Sequence, residues 1–391
     1  MSINLPEIFQ NLKLIDPEKS VVYCKRCVIS NQRPRLQFNK DGVCAACLYA
    51  EYKSKYIDWD KRNKELEILC DKFRRDDGSW DVLVPGSGGK DSGYVAWYLK
   101  EKLGMNPLTV TWSPTLPTEI GRENLHNFIQ SGFDNIMGTP NGRIHKKLTK
   151  ICFEEFGDNF LPFIYGQLNF PYQIAENYDI PLIIFGEDGD VEYGGSFERF
   201  NQSKLDMDYN IKSKFTSLPP EYWKKFGIDE KELKFYKYSK TDKASNSKIE
   251  AHYFSYFEKW SPEKHYSIAK EKLGYNPNTN GRSEGTFTDF ASLDDKTDGF
   301  HYYMAFIKFG LGRATSDAAH QIRDGIISRD EGVDLVLKYD GEYPKFFEKE
   351  FMDYLEIDNK KLNSIIDKFR RDVIWKEENG EWKLKHTVKK N

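Results

Sequence analysis

The chain has 391 residues, with 58 Lys and Arg against 61 Asp and Glu, a formal net charge of −3. That length favours one large domain with appendages, and the mixed charges lack the basic footprint of a protein that grips a long nucleic acid by its phosphates. No stretch approaches the ~18–20 consecutive apolar residues of a membrane span, and Met1 to Asp16 has no basic segment followed by an apolar run, so a cytoplasmic protein without membrane attachment is expected.

The six cysteines fit that compartment, because four form two close pairs, and paired spacing in a reducing environment favours metal over disulfide. Cys24 and Cys27 make one C-x-x-C turn, Cys44 and Cys47 the other, with sixteen residues between the pairs. Each turn presents two thiolates to one side, and together they close a tetrahedral shell around Zn²⁺. Gly42 suits the tight turn before the second pair. Four thiolates leave no open position, so a structural zinc is expected. Residues 1–76 are charged and short of apolar runs, and read as a zinc-binding module that shapes or covers the active site.

Trp80 to Val84 is a short β-rich run leading into Pro85-Gly86-Ser87-Gly88-Gly89-Lys90-Asp91-Ser92, and a helical pattern follows until Gly104. Strand, glycine-rich loop and helix N-terminus make a phosphate site, since bare backbone approaches the anion and first-turn N–H groups point at it. The Walker spacing fails, with Val84 at the first glycine position and Asp91 in place of the hydroxyl residue. The dinucleotide fingerprint fails as well, because Asp91 stands where its third glycine belongs.

Leu108 to Trp112 reads as a second strand, Ile120 to Gln130 as a helix, and Asn135 to Met137 as a short third strand. Another helix ends over Ile174 to Tyr178. Pro181 to Gly186 is a continuous apolar run suited to a fully buried parallel strand. The alternation predicts an open parallel α/β sheet over residues 77–196, with ligands at the carboxyl ends of its strands. The fourth strand runs into an acidic, glycine-rich segment, Gly186 to Gly195, placed for Mg²⁺ or substrate, the alternative being an exposed turn. Glu187, Glu192 and Tyr193 are its candidates.

Residues 197–280 lose the pattern and read as an insertion, a lid or a partner surface. Residues 281–391 read as a helical part that completes the active site. A helix from Ser316 would carry Asp317, His320 and Arg323 along one stripe, and a cation such as Arg313 near the loop would stabilise charge building on phosphates. The alternative is a surface helix with ordinary ion pairs. Asp330 to Tyr343 and Phe346 to Phe369 are amphipathic helical patterns suited to packing.

The Ser87-to-Ser92 loop after a strand resembles that of the N-type ATP pyrophosphatases, which include GMP, NAD and asparagine synthetases and tRNA thiolases, with a PP-loop (Rossmann-like) fold of the adenine nucleotide alpha hydrolase type. The resemblance implies that the loop from Pro85 and Gly86 through Ser87, Gly88, Gly89 and Ser92 cradles pyrophosphate. It further implies that Lys90 offsets the charge, Asp91 helps to hold Mg²⁺, and Thr111, Trp112, Ser113 and Gly186 border the ATP.

The cysteine quartet, the loop, Gly186-Glu187 with Glu192 to Gly195, and Gly312 to Arg323 together resemble the N-acetyl sugar amidotransferase family, the WbpG/PseA group of surface-polysaccharide (lipopolysaccharide, O-antigen) biosynthesis. That resemblance spans roughly Tyr23 to Tyr343. It implies an AMP-forming ligase that adenylates an acetamido group of a diacetamido sugar or nucleotide sugar and exchanges its oxygen for ammonia, giving an acetamidino group. Lys90, Asp91, Glu187 and Arg313 would be catalytic, with Glu192, Tyr193, Asp317, His320 and Arg323 towards the sugar.

No cysteine precedes Cys24 to serve as an N-terminal nucleophile, and Cys70 and Cys152 look like helical packing positions, so no glutaminase is expected in this chain. The family resemblance suggests a separate glutaminase subunit with a cyclase-like companion. The rival reading is a tRNA thiolase. The two cysteines left after the quartet cannot make a three-cysteine cluster, and the acidic balance speaks against it.

Overall fold

The protein is described by a computed structural model over residues 6–186, 190–195, 200–205, 220–236 and 249–390; Glu187 lies outside the described residues. Five short strands form its sheet: β1 (Val82–Pro85), β2 (Pro107–Trp112), β3 (Asp134–Gly138), β4 (Leu182–Phe185) and β5 (Glu250–Tyr253). All neighbours are parallel, in the order β3-β2-β1-β4-β5. The open parallel α/β sheet expected from the sequence is therefore present.

The pleat assigns alternate side chains to opposite faces. Val82, Val84, Leu182 and Ile184 pack on one side with α2 (Trp59–Phe73), α3 (Lys90–Trp97) and α4 (Glu119–Gln130). Leu83, Leu108, Val110, Ile183 and Phe185 face the other side, against α5 (Gly142–Phe156) and α6 (Leu161–Asn177). Cys70 and Cys152 are buried in these two layers, on α2 and α5. No helix among the described residues is long and apolar enough to cross a membrane.

The stretch 197–280 contributes β5 and α7 (Pro262–Leu273), which lies against α3. A Cβ at Gly93 of α3 would stand 2.7 Å from Leu273 Cδ1, so a bare backbone sets this close packing. No apolar run marks β5 in the sequence because it is the edge strand. Glu250 pairs with Lys72 at 2.5 Å, while Ala251 and His252 are buried on opposite faces of the strand.

The carboxyl-terminal region holds α8 (Asp298–Phe309), α9 (Arg313–Arg323), α10 (Arg329–Tyr339), α11 (Glu348–Leu355) and α12 (Asn359–Lys368). Two boundaries differ from the sequence pattern. First, α9 starts at Arg313 rather than Ser316, because the Asp340 carboxylate accepts the Gly312 and Thr315 N–H groups at 2.9 and 3.0 Å, an N-terminal cap from a distant residue. Second, the pattern from Phe346 to Phe369 breaks into α11 and α12 at Glu356, whose φ is +53°, with Asp358 capping the second helix. Ala318, Ala319, Val333 and Val336 of α9 and α10 pack on the cysteine module, which includes α1 (Ala45–Lys55).

His145 of α5 is buried between the Thr115 and Tyr236 hydroxyls, at 3.2 and 2.8 Å, and burial lowers its pKa to about 4. The folded chain thus keeps a neutral imidazole where the unfolded chain, titrating near 6.5, takes up a proton. Its contribution to stability is present above about pH 6.5 and is lost as pH falls towards 4, by about 3 kcal/mol. Denaturant unfolding at several pH values, compared with His145→Gln, should show that slope in the native protein and a flatter one in the variant.

Candidate active site

The loop after β1 is shaped by three close approaches. Gly88 has φ +82°, and a Cβ there would lie 2.6 Å from the Leu125 backbone; one on Gly86 would meet Ser92 Oγ at 2.6 Å. Gly186, leaving β4, passes so near that its Cβ would lie 3.2 Å from the Ser92 backbone. β1 and β4 are adjacent where the strand order reverses, so the loop and Gly186 border the crevice at that switch point. Gly88→Ala should cost about 1–3 kcal/mol through the positive φ alone and push the loop off α4, a loss that unfolding and AMP-release assays would both register.

Three ionisable side chains meet at the start of α3. Lys90 Nζ lies 2.6 Å from one Asp91 oxygen, and His265 Nδ1 of α7 lies 2.8 Å from the other. The His265 ring is buried and stacks on Tyr94 at 4.2 Å. Burial pushes the Asp91 pKa up, but Lys90 and His265 outweigh it and hold the carboxyl well below the usual range. His265 escaped the sequence reading because it sits in the stretch taken for an insertion and belongs to no motif.

Two large cavities open on this cluster, beside a smaller one of 180 Å³ between the loop and Asp294. The first, of 440 Å³, lies at the carboxyl ends of β1, β2 and β4, walled by the loop, Gly186, and the aromatic residues Trp112, Phe160, Phe163 and Phe185. The Trp112 indole N–H lacks a hydrogen-bond partner among the described residues. Thr111 lies behind the wall and donates its hydroxyl to the Gly86 carbonyl at 2.7 Å. Ser113 is held by the Gly138 carbonyl, which accepts its N–H at 2.9 Å.

Across this cavity stand Asp294 and Asp298, which no sequence motif had flagged. Burial and then Asp298 raise the Asp294 pKa, against a hydrogen bond from Ser87. Mg²⁺ is held by one or two carboxylates together with phosphate oxygens. Asp91, Asp294 and Asp298 all line this cavity beside the loop, so carboxylates that could share Mg²⁺ with phosphate oxygens are present, although in this structure both Asp91 oxygens are paired with Lys90 and His265.

The second cavity, of 600 Å³, shares Asp91 and Arg313 with the first. Its walls come from the cysteine module (Arg33, Arg35), from Tyr193, from Trp260 and Glu263, and from α8 and α9. Arg313 pairs with Asp317 at 3.1 Å, donates to the Tyr302 hydroxyl and lies 4.6 Å from that ring's centre. Burial lowers its pKa, but Asp317 and Tyr302 outweigh this and keep it cationic. Asp317 also accepts the Thr286 hydroxyl at 2.6 Å. His320 lies between the Tyr193 and Trp260 rings, at 5.3 and 5.2 Å. Burial, then Arg323 and Lys53, drive its pKa well down, so it is neutral.

Two expected site residues turn elsewhere. Glu192 is buried against Lys53 of α1 at 2.5 Å, away from both cavities. Arg323 is half-buried on the side of the cysteine cluster, and the electrostatic attraction of that cluster raises its pKa against desolvation. Three residues turn a helix by about 300°, so the stripe through Asp317, His320 and Arg323 drifts by about 120°. Its first two members face the cavity and its last faces the cysteines.

Those cysteines converge. Their sulfurs lie within 4.8 Å of one another, with Cys24–Cys47 at 3.8 Å and Cys27–Cys44 at 3.7 Å. A tetrahedron with Zn–S bonds of about 2.3 Å has edges of about 3.8 Å, so the quartet fits zinc. A four-iron cube, which binds each thiolate at a separate corner iron, would hold the sulfurs farther apart. Gly42, at φ +77°, makes the expected turn. The Arg329 guanidinium of α10 donates to the Cys27 and Cys24 carbonyls at 3.2 and 3.4 Å, fastening the module to the carboxyl-terminal helices.

Comparison with known proteins gives three findings. Residues 284–389 match the family model described as LPS biosynthesis protein WbpG-like, C-terminal domain. An uncharacterized protein of Methanocaldococcus jannaschii is 31% identical over 90 residues, 22% of this chain and 31% of that protein, so the match spans under a third of the relative. Loose superpositions extend to an NH3-dependent NAD synthetase from Campylobacter jejuni (14% identity, 56% of this chain and 95% of that one, TM-score 0.27). They also include the U34-tRNA thiolase NcsA from Methanococcus maripaludis with its [4Fe-4S] cluster (13% identity, 78% and 86%, TM-score 0.29). Both are too loose to bear on chemistry. The region that supplies Arg313, Asp317 and His320 to the second cavity is therefore the one similar to the WbpG carboxyl-terminal domain.

Proposed function

We propose that the protein is an ATP-dependent amidotransferase that converts an acetamido group of a sugar or nucleotide sugar to an acetamidino group. The observation that carries this reading is the meeting of the two cavities at Asp91 and Arg313. ATP occupies the first, its base among the aromatic residues and its β and γ phosphates on the Ser87-to-Ser92 loop. The acceptor occupies the second, with its amide oxygen at the junction.

The amide oxygen attacks the α-phosphorus, the bond to the β-phosphate oxygen breaks, and pyrophosphate leaves onto the loop. Lys90 and Arg313 offset the charge that develops, as preorganised cations do in a shielded site. Mg²⁺ held by Asp91 would add to that stabilisation. Ammonia then adds to the carbon of the O-adenylated imidate, and AMP departs with the original oxygen. The ammonia would come from a separate glutaminase subunit with a cyclase-like companion.

The rival tRNA thiolase reading needs a reactive cysteine near the nucleotide. Neither Cys70 nor Cys152 lines either cavity, and burial pushes the Cys70 thiol up to about 12 and raises that of Cys152. The test is incubation with ATP, Mg²⁺, ammonium and diacetamido sugars, followed by mass spectrometry. The expected product has one oxygen replaced by NH, with AMP formed in step; a sulfur-bearing tRNA product would overturn the assignment.

A further inference from the structure

The second cavity has a histidine on its wall, His301 of α8, whose Nδ1 lies 3.0 Å from Asp158 Oδ1. The same carboxylate oxygen accepts the Phe160 N–H at 3.0 Å, which fixes it in the short link between α5 and α6. A carboxylate only accepts, so Nδ1 carries the proton and the neutral ring keeps its lone pair on Nε2. Nε2 has no hydrogen-bond partner among the described residues and is not shut off from solvent, and the side chain is 25% exposed.

The course of α8 sets where this nitrogen stands. Asp298 lines the first cavity, whereas His301 and Tyr302, one turn later, line the second. Three residues advance a helix by about 4.5 Å, so His301 sits beside the junction, where Tyr302 holds Arg313. The Phe160 ring, on the wall of the first cavity, lies 5.2 Å from the imidazole. Carboxylate, ring and helix together hold an open basic nitrogen at the seam between the two cavities.

Amidation of an adenylated amide releases one proton. Ammonia bonds to the imidate carbon through its lone pair, and the resulting cationic nitrogen cannot help to expel AMP until a proton leaves it. Lys90 and Arg313 have no lone pair to offer, and Asp91 and Asp317 are engaged by cations. We infer that His301, held by Asp158, is the base that takes this proton on Nε2. The inference rests on the amidotransferase reading. Once the proton has moved, the nitrogen lone pair forms the second bond of the amidinium, and the C–O bond breaks with its electron pair on the AMP oxygen. The imidazolium then returns its proton to solvent. Asp158 is a positioning residue that fixes the tautomer.

Burial lowers the His301 pKa, but Asp158 and Asp298 outweigh burial and Lys308 and hold it above the ordinary value. At fixed free ammonia, kcat for amidine formation should therefore rise through one ionisation above about pH 6.5. Two rates test the assignment, with UDP-linked diacetamido hexoses as probes. Exchange of labelled pyrophosphate into ATP without ammonium reports adenylation and a folded chain; amidine formation with ammonium reports the second step. His301→Gln should lower amidine formation by about 100- to 10,000-fold and flatten its pH dependence, while the exchange keeps its native rate. Asp158→Asn should move the ionisation to lower pH, because the carboxylate that raises it is gone. An equal loss of both rates in His301→Gln, or an unchanged pH dependence, overturns the inference and leaves the amidotransferase reading standing. A native chain in which no probe supports exchange or amidine formation overturns that reading, and the inference falls with it.

Discussion

Lys90→Ala should lower AMP formation by about 100- to 1,000-fold, the range lost when one preorganised charge-stabilising group is removed from a reaction centre. Lys90 is 11% exposed in its side chain and held 2.6 Å from Asp91, so its charge is both shielded and aimed. Its ring neighbour Phe290, with a centre 5.0 Å from Nζ, further limits water at the cation. The charge on pyrophosphate grows as the α–β bond breaks, so the loss belongs mainly in kcat and less in the KM for ATP. Single-turnover measurement of AMP release at saturating ATP separates the two. Undiminished sugar amidination by the variant would remove the loop from the mechanism.

The second large effect concerns the cysteine quartet. Elemental analysis should find one zinc per chain, and its removal, or Cys24→Ala, should unfold the amino-terminal module. Structural zinc contributes about 10–16 kcal/mol of apparent binding free energy in small zinc modules at neutral pH. The module's own apolar core is small and is shared with Ala318, Ala319, Val333 and Val336 of α9 and α10. Hydrogen exchange should therefore accelerate over residues 24–55 and 313–339, while β1, β2 and β4 stay protected by their own two-layer packing. The second cavity would lose the wall carrying Arg33 and Arg35, so activity should fall even where ATP still binds. Unchanged exchange in the metal-free protein would show that the metal has no structural role.

What could be read from the chain were features whose physics is local. The central strands β1 and β4 announce themselves because strands buried on both faces are apolar runs, as Val82 to Val84 and Leu182 to Phe185 are. The loop is legible because bare backbone, a lysine and an acid must follow one another at the start of a helix. The cysteine quartet is legible because two thiolates per turn is a property of short segments. In each case the signal lies within short segments of the chain, and the structure has all three in place.

Other features were settled by residues far apart in the chain. His265 comes to Asp91 from 174 positions away, and Asp340 starts α9 from 25 or more positions away. Glu192 turns from the expected substrate side because Lys53, 139 positions earlier, meets it in a buried pair. Arg323 leaves the cavity because the twist of α9 brings it under the cysteine module.

The sequence by itself determined the parallel sheet, the glycine-rich loop between β1 and α3 and the four-cysteine cluster, because each is signalled by spacing within short segments. Only the tertiary structure decided which charged side chains face a ligand. Burying a charge requires a partner, and which partners are available depends on how the helices and the cysteine module pack around the sheet. The two cavities that meet at Asp91 and Arg313 are the outcome of that packing.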